Sequence, residues 1–130
     1  MTAPAAAPQR IDLPPLLTRS GYADDVWTIE HDAYVVQKPS ARKMNWRIPF
    51  GDGSTFFGPA CDQWRAQCRA IMRSFMVGDL DGNPGPQTVL RIFQGLRKFI
   101  QWSYDDGLRS FDGLTVEICA RYREYVSSRL

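Results

Sequence analysis

Apolar positions recur at helical spacing between Gln87 and Asp105. At 100° per residue, Leu90, Phe93, Leu96 and Ile100 fall on one face, flanked by Val89, Ile92, Phe99 and Tyr104. Gln87, Arg91, Gln94, Lys98 and Gln101 line the opposite face. The pattern predicts a long amphipathic helix opened by Gln87 or Thr88 as a polar cap and stopped at Asp105-Asp106-Gly107. An earlier helix follows Gly58-Pro59 and runs from about Ala60 to Met76. Trp64, Cys68, Ile71, Met72 and Phe75 share its apolar face, and Arg65, Arg69 and Arg73 follow one another along the other side. A third helix starts after Thr115, a good N-cap, and should bury Ile118, Cys119, Tyr122, Tyr125 and Val126. The stretch 78–86, with its glycines and prolines, is a loop. Three helices with apolar stripes of this width predict one small bundle.

Helical periodicity is absent before residue 59. Residues 1–21 are rich in Ala and Pro and predict a flexible or extended arm. Residues 22–58 carry too much apolar area for a linker, including Trp27, Ile29, Trp46, Ile48, Phe50 and Phe56. Short alternation in VWTIE and NWRIPF suits extended segments laid over the helices, with a turn at Gly51-Asp52-Gly53-Ser54. The expected fold class is therefore all-α: a helical domain over 59–130, preceded by an extended and mostly irregular N-terminal segment.

Composition narrows the function. Sixteen basic residues against 14 acidic ones leave a net charge of +2, too little for a histone-like binder. Any nucleic-acid contact must come from how the charge is arranged. The three cysteines, Cys61, Cys68 and Cys119, form no CxxC pair, and their odd number argues against a disulfide framework. With His31 as the sole histidine, a zinc site is not expected, and no cofactor is implied. No apolar run is long enough to span a bilayer, and the N-terminus lacks the order of a signal peptide. These features predict a cytoplasmic protein with no membrane partner.

Several residues of the helical part carry a family pattern. Thr88, Leu96-Arg97, Phe99, Trp102, Gly107-Leu108 and Leu114-Thr115 resemble the N-terminal core-binding domain of tyrosine recombinases of the phage-integrase type. The resemblance covers roughly residues 60–130 and rests on hydrophobic spacing and turn residues. It implies a small SAM-like helical bundle that clamps double-stranded DNA, positions the enzyme on its recombination site and self-associates on that DNA. The family cleaves DNA with a tyrosine supported by arginines, a lysine and an HxxR element. No HxxR occurs here, and Tyr104, Tyr122 and Tyr125 lie on predicted apolar faces. No phosphate loop, dinucleotide-binding fingerprint or HExxH is present either. The chain is thus expected to be a non-catalytic piece of a longer recombinase.

Three groups are candidates for DNA contact. Gln87, Thr88, Arg91, Gln94 and Lys98 offer amides and cations that suit base edges and phosphates, with Thr88 near the helix N-terminus. In the resembling family the matching helix lies against the major groove. Arg65, Arg69 and Arg73 form a cationic row able to neutralise phosphates. Lys38, Arg42, Lys43 and Arg47 form a basic loop beside Trp46, with Lys43 its central candidate. Each has a plainer explanation, since every bundle helix needs a solvated face and surface loops are often basic. Trp102 is expected to pack against the third helix. Asp79, Asp81, Asp105 and Asp106 flank the second helix and oppose close phosphate approach at its ends. The competing function is a helical protein-interaction domain, favoured by the low net charge and the aromatic-rich segment 27–57.

Overall fold

A computed structural model describes residues 13, 18, 20–29, 43–77 and 86–129. Its core is set by an alternation with period two. Met44, Trp46, Ile48 and Phe50 are buried, while Lys43, Asn45, Arg47 and Pro49 between them are exposed. This is the signature of extended backbone with one covered face. The strand β2 (Lys43–Asn45) pairs antiparallel with β1 (Val26–Thr28), placing Trp27 opposite Met44. The ladder is prolonged by the Trp46 N–H, which donates to the Asp25 carbonyl at 2.8 Å. On the other edge of β1, Thr18 bridges Ile29, and its hydroxyl donates to the Thr28 carbonyl at 2.6 Å. A tight turn then brings Thr55 back beside Pro49, with Gly53 at φ +88°, a conformation that side-chain-bearing residues rarely adopt.

Three α-helices follow among the described residues. Helix α1 (Asp62–Met76) grows out of a 3-10 turn over Pro59–Cys61, where proline occupies a position that needs no amide donor. Helix α2 spans Pro86–Asp105 and α3 spans Val116–Ser127. The end of α2 is closed by a Schellman arrangement. Leu108 N–H donates to the Ser103 carbonyl at 2.9 Å, and Gly107 N–H to the Tyr104 carbonyl at 3.0 Å, with Gly107 at φ +98°. Leu108, 4% exposed, seals the turn from inside. A second 3-10 turn, Phe111–Gly113, leads to Thr115, whose hydroxyl accepts from the Ile118 N–H and caps α3.

The core lies between the extended segment and the first two helices. Trp27 meets Trp46 edge-on at 5.1 Å, and Trp46 meets Phe93 of α2 at 5.0 Å. A second line of rings runs from Phe50 through Phe56 to Trp64 of α1. One expectation changes. The molecule is mostly helical but not plainly all-α, because a two-stranded sheet belongs to its core. The segment 22–58, whose part in the fold the sequence left open, supplies Trp27, Ile29, Met44, Trp46, Ile48 and Phe56, all fully buried. Leu13 and Thr18, placed in a flexible arm by composition, are buried as well.

The helix boundaries fall within two residues of expectation. Their faces differ in two places. Ile71, expected inside, is exposed, whereas Arg69, expected outside, is buried. In α3 none of the five expected core residues is fully buried, and Cys119 and Val126 are exposed, with no other described element covering that side.

Candidate nucleic-acid interface

The buried face of α2 is formed by Val89, Leu90, Phe93 and Ile100. Packing that face against Trp46 and its neighbours fixes the rotation of the helix. Gln87, Thr88, Arg91, Gln94 and Lys98 are consequently all exposed. From Gln87 to Lys98 the row spans about 16 Å at the usual helical rise. No Asp or Glu occurs between Gln87 and Gln101, so no carboxylate on the helix interrupts the row. Among the described residues, Arg91 and Lys98 make no ion pair. Thr88 sits in the first turn rather than at the cap, because the helix begins at Pro86.

The arginines of α1 are arranged differently. Arg69 is 9% exposed, and its Nη2 donates to the Ala23 and Asp24 carbonyls at 3.2 and 3.0 Å. Its guanidinium also lies over the rings of Phe57 and Trp46. Burial, reinforced by the neighbouring Arg65 charge, pulls its pKa below the ordinary value. Arg69 is therefore withdrawn from the expected phosphate row. The cause is the N-terminal segment folding over this side of α1, an event that helical periodicity does not register. Arg65 bonds the Phe56 carbonyl at 2.8 Å and the Asp62 carboxylate at 2.7 Å, and its guanidinium covers Phe57. Arg73 is half-buried, and its charge reaches the Tyr22 hydroxyl. The three do not form a continuous solvent-facing row.

Of the basic loop, Lys43 and Arg47 are described, whereas Lys38 and Arg42 lie outside the described residues, as do His31, Asp79 and Asp81. Lys43 is exposed on β2. Arg47 pairs with Asp25 and covers Phe57 from outside. It thus serves the fold at least as much as the surface.

The row on α2 continues into an open groove of about 670 Å³ between α2 and α3. Lys98, Gln101, Trp102 and Asp105 line it from α2; Tyr122, Tyr125 and Val126 line it from α3, with Arg129 just beyond. Trp102 packs against Tyr122 and Tyr125 at 5.2 and 6.0 Å between ring centres, as expected of it. Arg129 covers Tyr125 at 4.4 Å. The aromatic residues of α3 are half-buried walls of this groove rather than core, and burial raises the Tyr122 hydroxyl pKa. The spacing of Tyr122 and Tyr125, with Arg129 about one turn further on, is readable in the sequence but equally suited to a core face.

The arrangement offers hydrogen-bond donors, cations and aromatic rings. Among the described residues, no group of three or more His, Cys, Asp or Glu side chains is placed to hold a metal ion. No described helix is long and apolar enough to cross a membrane. Neither a protein-family model, nor a curated protein, nor a solved structure matches the chain.

Proposed function

We propose that the chain is a duplex-DNA-binding module of the tyrosine-recombinase type. It would position a recombinase on its site in the cytoplasm, with cleavage chemistry supplied elsewhere and neighbouring copies meeting on the DNA. The observation that carries this reading is the exposed row Gln87, Thr88, Arg91, Gln94 and Lys98 on α2, held outward by the burial of the opposite face and crossed by no carboxylate. Glutamine amides and an arginine fork reach base edges in a major groove, and Arg91 and Lys98 also reach phosphates. The family resemblance of the helical part adds weight to this choice of helix.

The test is binding to a labelled random-sequence duplex, read by fluorescence anisotropy across 50–200 mM salt. Each phosphate neutralised contributes about −0.9 to the slope of log affinity against log salt. Binding should weaken steeply with salt, and Arg91→Ala/Lys98→Ala should both weaken it and flatten the slope by roughly two such contributions. Arg69→Lys should leave the slope unchanged, because that side chain is turned inward. No binding at low salt would overturn the reading. It would favour instead a helical protein-interaction domain, a role consistent with the exposure of Val116 and Val126 on α3.

A further inference from the structure

The α2–α3 groove is open, aromatic and basic at its rim. Trp102, Tyr122 and Tyr125 line it and lie against one another, with ring centroids 5.2 to 6.1 Å apart and interplanar angles between 26° and 54°. Val126 is its one aliphatic wall residue. Lys98 and Arg129 stand at it against a single carboxylate, Asp105. A volume of about 670 Å³ lies within the range of about 300–1,000 Å³ typical of small-molecule and cofactor sites.

We propose that this groove binds an unpaired nucleotide of single-stranded DNA. The base stacks among Trp102, Tyr122 and Tyr125, and its phosphates are held by Lys98 and Arg129. Aromatic faces beside cations that track a backbone are the working parts of sequence-tolerant single-strand sites. The charge balance argues against a cationic ligand, since Arg129 already covers Tyr125 and the rim is net positive. A helical protein partner would need an aliphatic floor, and Val126 alone does not provide one. Lys98 belongs both to the outward row on α2 and to the groove. A duplex lying on α2 would therefore place an extruded base or a frayed end within reach of the rings. This assignment rests on the nucleic-acid reading above, although not on how a duplex sits.

The chain carries its own reporter. Of its four tryptophans, Trp27, Trp46 and Trp64 are 0% exposed, and Trp102 alone lines the groove. Titration with the single-stranded oligonucleotide (dA)12 at 50 mM salt should quench tryptophan emission with a saturable isotherm. Tyr125→Ala should weaken that binding about tenfold, as loss of one stacking partner does elsewhere, Arg129→Ala should weaken it and flatten its salt dependence by loss of a phosphate contact, and Tyr125→Phe should restore it to within about twofold. Both alanine variants should leave duplex affinity within about twofold, whereas Arg91→Ala should lower duplex affinity and spare the oligonucleotide. Arg129 is exposed and lies beyond the last residue of α3, so its variant keeps the fold even if Tyr125→Ala loosens the helix. Absence of quenching, or quenching unchanged by Arg129→Ala and Tyr125→Ala, would overturn the proposal. Self-association abolished by Tyr125→Ala, without oligonucleotide binding, would also overturn it and assign the groove to a second copy of the chain. Quenching by the oligonucleotide without any duplex binding would remove the α2 reading and leave the groove standing.

Discussion

Helices α2 and α3 have similar means of formation but differ in what holds them in place. Helix α2 is anchored along its length: Val89, Phe93 and Ile100 are essentially inaccessible, Phe93 meets Trp46, and the Tyr104 ring stacks on Phe50 at 3.7 Å. Helix α3 is capped by the Thr115 hydroxyl, yet buries no residue fully and leans on α2 through Tyr122, with the Arg121–Asp106 ion pair at 2.7 Å just past the end of α2. Capping and amphipathicity thus decide whether a helix forms, while the availability of a covering surface decides how firmly it is docked. The surface proposed for duplex DNA belongs to the rigid helix, and the groove belongs to the seam between rigid and loose ones.

The largest test of that contrast is a pair of truncations. Trp46→Ala should cost about 3–5 kcal/mol, the usual loss for a buried large aromatic. That is a large share of the roughly 5–15 kcal/mol that stabilises a domain. Val126→Ala, at 41% exposure, should cost less than about 0.5 kcal/mol. Urea denaturation of both variants measures the gap, and equal losses would break the comparison. Hydrogen exchange sharpens it next. Amides in the middle of α2 should exchange only on global unfolding, whereas those of α3 should open by a local route several kcal/mol cheaper.

Glycine substitutions probe the joint between the two helices. Gly107 ends α2 at φ +98°, and an added Cβ there would touch nothing within 4 Å. The cost of Gly107→Ala is therefore conformational, about 1–2 kcal/mol. Gly95 also has open space around it but sits inside α2 with ordinary helical backbone. Gly95→Ala should raise stability by about 0.5–1 kcal/mol. Thermal melts of the two variants should move in opposite directions.

The smallest effect concerns the tie between α2 and the turn at residues 51–54. Asp52 accepts from Ser54 and, at 2.7 Å, from the Tyr104 hydroxyl, and these bonds lower its pKa from 3.8 to about 2. A carboxylate with a depressed folded pKa stabilises the fold above its ordinary value, and that contribution disappears as pH falls from about 4 toward 2. Melting temperature should consequently fall less steeply over this window in Asp52→Asn than in the parent. Parallel curves for the two proteins would remove the tie.

The helices and their stop signals were readable because each is a local matter: a periodic stripe, a proline at an N-terminus, Gly107 at an end. The strict alternation of Met44, Trp46, Ile48 and Phe50 is equally local, but the strands it helps build are only three residues long. Their register depends on partners far along the chain. The outward row on α2 followed from its apolar face and needed no further information. Arg69 shows the opposite case. Its spacing from Arg65 and Arg73 marked it as solvated, and only the arrival of Ala23 and Asp24 over α1 makes it a buried donor. Cys119 and Val126 fail in the reverse sense, as apolar positions over which no described element is placed.

The ring contacts from Trp27 through Trp46 to Phe93 also bear on how the chain is made. A ribosome releases Trp27 and Trp46 well before the turns of α2 that carry Phe93. For that interval the strands have α1 beside them but lack the Phe93 ring that packs on Trp46. Isolated two-stranded pairs are marginal in water, so the sheet matures only once the helix has been delivered. A chain arrested before α2 would be cleared or aggregate rather than persist as a folded intermediate.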